Sequence, residues 1–224
     1  NMLDDCSRVF VGSKLYAREI LPAYLDFLPT AFLDYGLPLE IYVDYHSFFF
    51  TEEPEALTTL GKALRFYGVS FLYAPTPQAK GKVEREHHFW QQRLPAYFAS
   101  ESVSQLFDAN THITALRLHR NAHETHRELQ MTPGKAWTEA QIQHRTALRP
   151  VPHCPWWPYV WITHTTIRTG PDGRIPIGAH PVRMEIPPGS KVVLCHHPSG
   201  HYSVLTALPK TGTLPVLLFT NRPK

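Results

Sequence analysis

No apolar run in this chain is longer than a strand, and in the first half such runs alternate with helix-length segments. "LEIYVDY" (39–45) and "VSFLYAP" (69–75) read as strands on either side of "EPEALTTLGKALRFYG" (53–68), a helix-length segment closed by glycine. Parallel strands need a crossover of a dozen or more residues, usually a helix, and this segment supplies one. Upstream, "CSRVFVGSKLY" (6–16) alternates apolar with small or polar residues and predicts another strand. It leads into "AREILPAYLDFLPTAFLDYG" (17–36), where Ile20, Leu21, Tyr24, Leu25, Leu28, Phe32 and Leu33 recur at helical spacing before Gly36. Pro22 and Pro29 inside it are expected to bend or divide that helix. After the third strand, "PTPQAKGKVEREHH" (75–88) opens a long polar and aromatic helix. The rhythm predicts an α/β layer structure with parallel strands.

Beyond residue 104 the pattern changes twice. Up to about 148 it is helical and polar, with Thr132 placed to cap a helix that Pro133 opens. "RPVPHCPWWPYVW" (149–161) then introduces short β-like runs separated by turns at Gly170–Gly173 and Pro198–Gly200. The expected domains are therefore residues 1–148 and a small all-β barrel at 149–224. Trp156, Trp157 and Trp161 are suited either to stacking on bases or to burying the seam beside the barrel.

Charge is divided along the same line. Residues 150–224 carry 7 Lys and Arg against 2 Asp and Glu, whereas residues 1–149 carry 15 against 17. A basic module invites a polyanion. No run of about 18 uncharged apolar residues is present to cross a bilayer, and with no basic and apolar leader pattern at Asn1 no secretory signal is expected. Cys6, Cys154 and Cys195 are odd in number and far apart, against a disulfide framework. The expectation is a cytoplasmic protein with no membrane partner. Neither a glycine-rich phosphate loop nor a C-x-x-C pair points to nucleotide hydrolysis or a structural zinc, although His153, Cys154, Cys195, His196, His197 and His201 supply donors.

The acidic residues at strand ends carry the chemistry. Asp44 ends one predicted strand, and Glu84 falls in the first turns of the helix after the next. In open parallel sheets, sites gather at the carboxyl ends of strands. Two carboxylates there can share a divalent cation, since magnesium takes oxygen ligands and is commonly held by one or two protein carboxylates. Lys80, Glu84, His87 and His88 share one helical face, an arrangement that serves equally as an ion-pair stripe or as a metal site meeting phosphate.

"LPLEIYVDYHSFF", the 39 residues between Asp44 and Glu84, and "YAPTPQAKGKVEREHHFWQQRL" together resemble the core of DDE transposases and retroviral-type integrases. "NAHETHRELQMTPGKAW" (121–137) resembles the stretch that bacterial insertion-sequence transposases carry after that core. The segment beginning "TTIRTGPDGRIPIGAHPVRM" is similar to their SH3-like or Mu-transposase-like C-terminal barrel. The resemblance implies a ribonuclease H-like core, DNA as substrate, multimers on DNA and a bacterial, nucleoid-associated setting. It implies two-metal phosphoryl transfer with magnesium or manganese (Mg2+ or Mn2+), cleaving and joining DNA strands. Asp44 and Glu84 would be catalytic metal ligands. Lys80, Lys82, His87, His88, Arg168, Arg174 and Lys191 would meet DNA.

Two departures from the family pattern shape the expectation. The family's first catalytic aspartate lies on the strand before a "DDxSR"-like motif, and here "LDDCSRVFVG" is near the start. The first aspartate is therefore expected upstream of Asn1, Asp4 and Asp5 are expected to be structural, and this chain by itself is expected to be weak or inactive. Asp44 is followed by "YHS" where "NGS" is usual. A non-catalytic, domesticated relative that binds DNA or protein is the alternative these departures allow, and a ribonuclease H-like nuclease is a third reading.

Overall fold

The structure, a computed structural model, describes residues 1–52, 57–75, 81–177, 181–210 and 215–221. The chain divides into two units, one formed by Asn1–Thr58 with Val69–Val151 and the other by Thr59–Gly68 with Pro152–Lys224.

The first unit opens with β1 (Met2–Leu3) and β2 (Phe10–Gly12), an antiparallel pair. Asp4 builds the turn between them: its carboxylate accepts the Ser7 N–H at 2.7 Å and the Ser7 hydroxyl at 2.6 Å. Helix α1 (Leu21–Tyr35) starts with Pro22 in its first turn, where no donor is lost. Pro29 lies inside α1 and does not divide it, because burial of Leu25, Leu28, Pro29 and Phe32 along one face outweighs the missing hydrogen bond. Gly36 closes the helix at φ 94°, and a side chain there would stand 2.9 Å from the Arg149 carbonyl oxygen. Glycine is required by both constraints.

Strand β3 (Glu40–Val43) comes next, and the segment after it contains helix α2 (Thr59–Phe66), which belongs to the second unit. Strand β4 (Ser70–Tyr73) returns parallel to β3 in register, from Glu40 opposite Ser70 to Val43 opposite Tyr73. The parallel pairing expected from the sequence is present here. Helix α3 (Gly81–Ser100) runs through Pro95 without a break.

Helix α4 (Leu106–His123) lies along β2 and the residues that follow it, and is fixed there by two asparagines. Asn121 accepts the Phe10 N–H and donates to the Phe10 carbonyl, each at 3.0 Å. Asn110 does the same for Leu15, at 2.7 and 3.0 Å. Eleven helical residues rise about 16.5 Å, and five extended residues span about the same length. The spacings therefore match. Arg117 also donates to the Phe10 carbonyl at 3.0 Å and lies over the Tyr35 ring. Helix α5 (Pro133–Ile142) has Thr132 as its cap, the side chain accepting the Lys135 N–H at 3.3 Å. Gly134 approaches the end of α4 so closely that a Cβ would sit 2.9 Å from the Asn121 carbonyl oxygen.

In the second unit, α2 is followed by Tyr67, whose ring stacks on Trp161 at 5.9 Å and meets Trp157 edge-on at 5.0 Å. Trp157 opens the short helix α6 (Trp157–Val160). Strands β5 (Thr163–Arg168), β6 (Arg174–Ile175), β7 (Val182–Arg183), β8 (Lys191–His196), β9 (Tyr202–Leu205) and β10 (Leu217–Asn221) follow. They form an antiparallel sheet in the order β10-β9-β8-β5 and a separate β6-β7 pair. Strand β8 is buried on both faces: Val192 and Leu194 join Ile175, Ile177, Met184 and Val204, while Val193 and Cys195 join Ile162 and Leu205. Burial pushes the Cys195 thiol up to about 12, leaving it unreactive. The β8–β9 turn closes at Gly200, φ 81°, with the His197 N–H donating to the His201 carbonyl at 3.0 Å.

Candidate functional site

Asp44 leaves the carboxyl end of β3, where the Ala74 N–H extends the ladder to the Val43 carbonyl at 2.8 Å. Its carboxylate is half-buried and accepts the His46 N–H at 3.3 Å. The chain then coils, with the Phe49 and Phe50 N–H groups donating to the His46 carbonyl at 2.8 and 2.9 Å. Rings hold this turn in place. Phe49 packs on Tyr24 and Phe71, and Tyr45 stacks on Tyr73 with centroids 5.3 Å apart. In "YHSFFF" aromatic packing thus fixes the turn after Asp44. Burial, a hydrogen bond to Glu19 and the nearby charge of Asp44 raise the Tyr24 hydroxyl well above its ordinary pKa.

Glu84 occupies the first turn of α3 and is exposed, a position where the helix dipole favours a carboxylate. His87 and His88 are exposed on the same side, and Gln92 donates to the His88 ring at 2.7 Å. The opposite side of α3 is bound to the rest of the unit. Lys82 pairs with Asp5 at 2.7 Å and Arg85 with Glu128 at 2.7 Å. Glu86, only 7% exposed, pairs with Arg120 at 2.6 Å. Arg120 also reaches Glu124 at 2.7 Å, and its guanidinium lies 3.8 Å from the Phe89 ring. Arg93 lies 3.8 Å from that ring as well. Positions 82, 86, 89 and 93 form one helical face; 84 falls about 170° from its centre, and 87 and 88 about 130°. The ion-pair face thereby sets the direction in which Glu84 leaves the helix.

His126 stands 4.0 Å from Glu86, and burial lowers its pKa against the opposing pull of that carboxylate. Asp4 is engaged in the β1–β2 turn and Asp5 is paired with Lys82. Among the described residues no three His, Cys, Asp or Glu side chains converge as a metal-binding group. Asp44 and Glu84 supply carboxylate oxygens, the donors that magnesium and manganese prefer. A groove of about 290 Å³ in this unit is lined by Glu40, Trp137, Gln141 and Arg145. It adjoins the amino end of β3, away from the end that carries Asp44.

In the second unit the register pairs cations. Arg168 lies opposite Lys191, and Arg174 opposite Arg183, all four exposed. Arg168 donates to the Gly189 carbonyl at 2.9 Å and Arg174 approaches Asp172 at 3.6 Å. Like charges directly across a ladder repel, and an anion between them removes the penalty. Arg183 joins the predicted cations through register alone, a signal the sequence carries only once strand pairing is known. Lys80 lies outside the described residues. The supports missed in the sequence are Asn110, Arg117 and Arg120, each gripping a partner far away in the chain.

No family profile matches the chain. It is 30% identical over 116 residues to the transposase for insertion sequence IS1202 of Streptococcus pneumoniae, covering 49% of this chain and 25% of that protein. Over 139 residues it is 27% identical to y4bF of Sinorhizobium fredii, which also carries a transposase name, covering 60% of this chain and 29% of that protein. The chain thus spans less than a third of the length of these curated relatives. Its similarity is to proteins that carry transposase names.

Proposed function

We propose that the chain is part of a DNA transposase in which Asp44 and Glu84 are two of the carboxylates that hold magnesium or manganese. The observation that carries this reading is topological. Strands β3 and β4 are parallel and in register, Asp44 follows one, and Glu84 opens the helix that follows the other. Asp44 leaves the carboxyl end of the pair, where sites of parallel sheets form, and Glu84 stands in the first turn of the next helix along the chain. Similarity to transposases supplies the substrate class.

The bound cation would supply charge neutralisation at a phosphodiester and activation of a water or a 3′ hydroxyl. The chain's own residues supply placement. The turn packed by Tyr45, Phe49 and Tyr73 holds Asp44, and the Glu86–Arg120 pair holds the azimuth of Glu84. His87 and His88 border Glu84 and would meet phosphate. In the second unit, Arg168, Lys191, Arg174 and Arg183 would bind the DNA backbone, and the β5–β10 strands would serve as an SH3-like DNA-binding barrel. The core would be ribonuclease H-like, and the protein would assemble as a homo-oligomer on DNA.

Manganese titration followed by calorimetry tests the site. Saturable binding that is lost in both Asp44→Asn and Glu84→Gln is expected, together with loss of strand transfer when Glu84→Gln is placed in a longer transposase chain. Strand transfer by that variant overturns the assignment.

A further inference from the structure

Apart from the carboxylates, α4 ends in a second set of donors. His119 and His123 stand one turn apart at its C-terminal end, their ring centroids 4.9 Å apart and their planes inclined by 47°. Both are exposed. Other histidines of the chain are engaged: His88 with Gln92, His112 with Tyr97, His164 with the Tyr159 carbonyl, and His197 with Ser203. The rings of His119 and His123 have only each other as partners among the described residues. The H-x-x-x-H spacing is visible in "HRNAH" (119–123) once the segment is known to be helical.

Residues four apart on a helix are surface neighbours. One cation at the usual metal–nitrogen distance of about 2.0–2.1 Å can bridge two imidazoles so placed. The unpaired carbonyls of a last helical turn favour positive charge. The adjacent cation, Arg120, is offset by Glu86 at 2.6 Å and Glu124 at 2.7 Å, so it does not leave the turn positively charged. Imidazole donors select copper, nickel and zinc over magnesium.

We propose that His119 and His123 form a two-histidine chelate for a late first-row divalent cation, separate from Asp44 and Glu84, with water completing the coordination. The same turn carries Asn121, which grips Phe10 on β2. Metal at this site therefore fastens the end of α4 that holds β2.

The test is nickel titration of the untagged full chain by calorimetry and melting, with proton NMR of the histidine rings. One saturable equivalent is expected, with a rise in melting temperature. His119→Gln and His123→Gln should each weaken binding at least tenfold and remove the rise, whereas Asp44→Asn should leave both unchanged and excess magnesium should not compete. On the unsubstituted protein, paramagnetic broadening should begin at these two rings, a readout that does not depend on any variant folding. Broadening that begins at other histidines, or undiminished binding by the folded variants, overturns the proposal.

Discussion

At Arg120 a single guanidinium meets two carboxylates and lies against the faces of Phe89 and Phe10. Removing it strands Glu86 in a site that is 7% exposed. Arg120→Ala should therefore cost about 3–5 kcal/mol in chemical denaturation, and replacing Glu86 with leucine as well should recover a large part, since the buried charge then disappears. Asn121→Ala leaves the buried N–H of Phe10 without its partner, while the Phe10 carbonyl keeps Arg117, an expected loss of about 1–3 kcal/mol by the same measurement. Neither role was legible in the sequence. Glu86 and Arg120 are 34 residues apart, and Asn121 is 111 residues from Phe10. A polar residue on a helix carries no mark of a remote partner. Thr132 was legible for the opposite reason, because its partner is the Lys135 N–H three residues on.

Among the elements, the apolar runs gave the order and the parallel pairing of β3 and β4, because strand burial is written in adjacent residues. The helix expected to bend or divide at Pro22 and Pro29 forms as one element from Leu21. Tertiary burial of its apolar face decides that outcome, and proline propensity does not report burial. The packing of α5 on α4 rests on the absence of a side chain at position 134. Gly134→Ala should destabilise the chain by more than about 1 kcal/mol, in spite of alanine's better helix propensity, because the Asn121 carbonyl is backbone and cannot move aside. A thermal melt in which the variant gains stability would contradict that packing.

At the scale of the whole molecule, acid should be more damaging than the carboxylates alone predict. His126, His164 and His197 all have lowered pKa values, with burial as the leading cause in each. The folded state therefore takes up protons less readily than the unfolded chain, whose histidines titrate near 6.5. Stability is fully present above that value and is lost as pH falls below it. Melting temperature should decline as pH falls below about 6.5, and His164→Gln and His197→Gln should flatten the decline. For DNA, Arg183→Ala should lower the slope of log affinity against log salt by about one, the mark of a single lost phosphate contact.

The two asparagine clips of α4 have a consequence for how such a chain can vary. Asn110 and Asn121 form a caliper set to the distance from Phe10 to Leu15. Exposed residues between the jaws, such as Thr114 and Ala115, can be exchanged at small cost, but the count between the jaws cannot change. One inserted alanine turns the far jaw by about 100° and slides it about 1.5 Å, so only one clip can close at a time. At the exposed positions of this stretch length, more than composition, is the quantity under constraint. Relatives that keep the architecture should differ freely at the exposed positions there while sharing the same spacing.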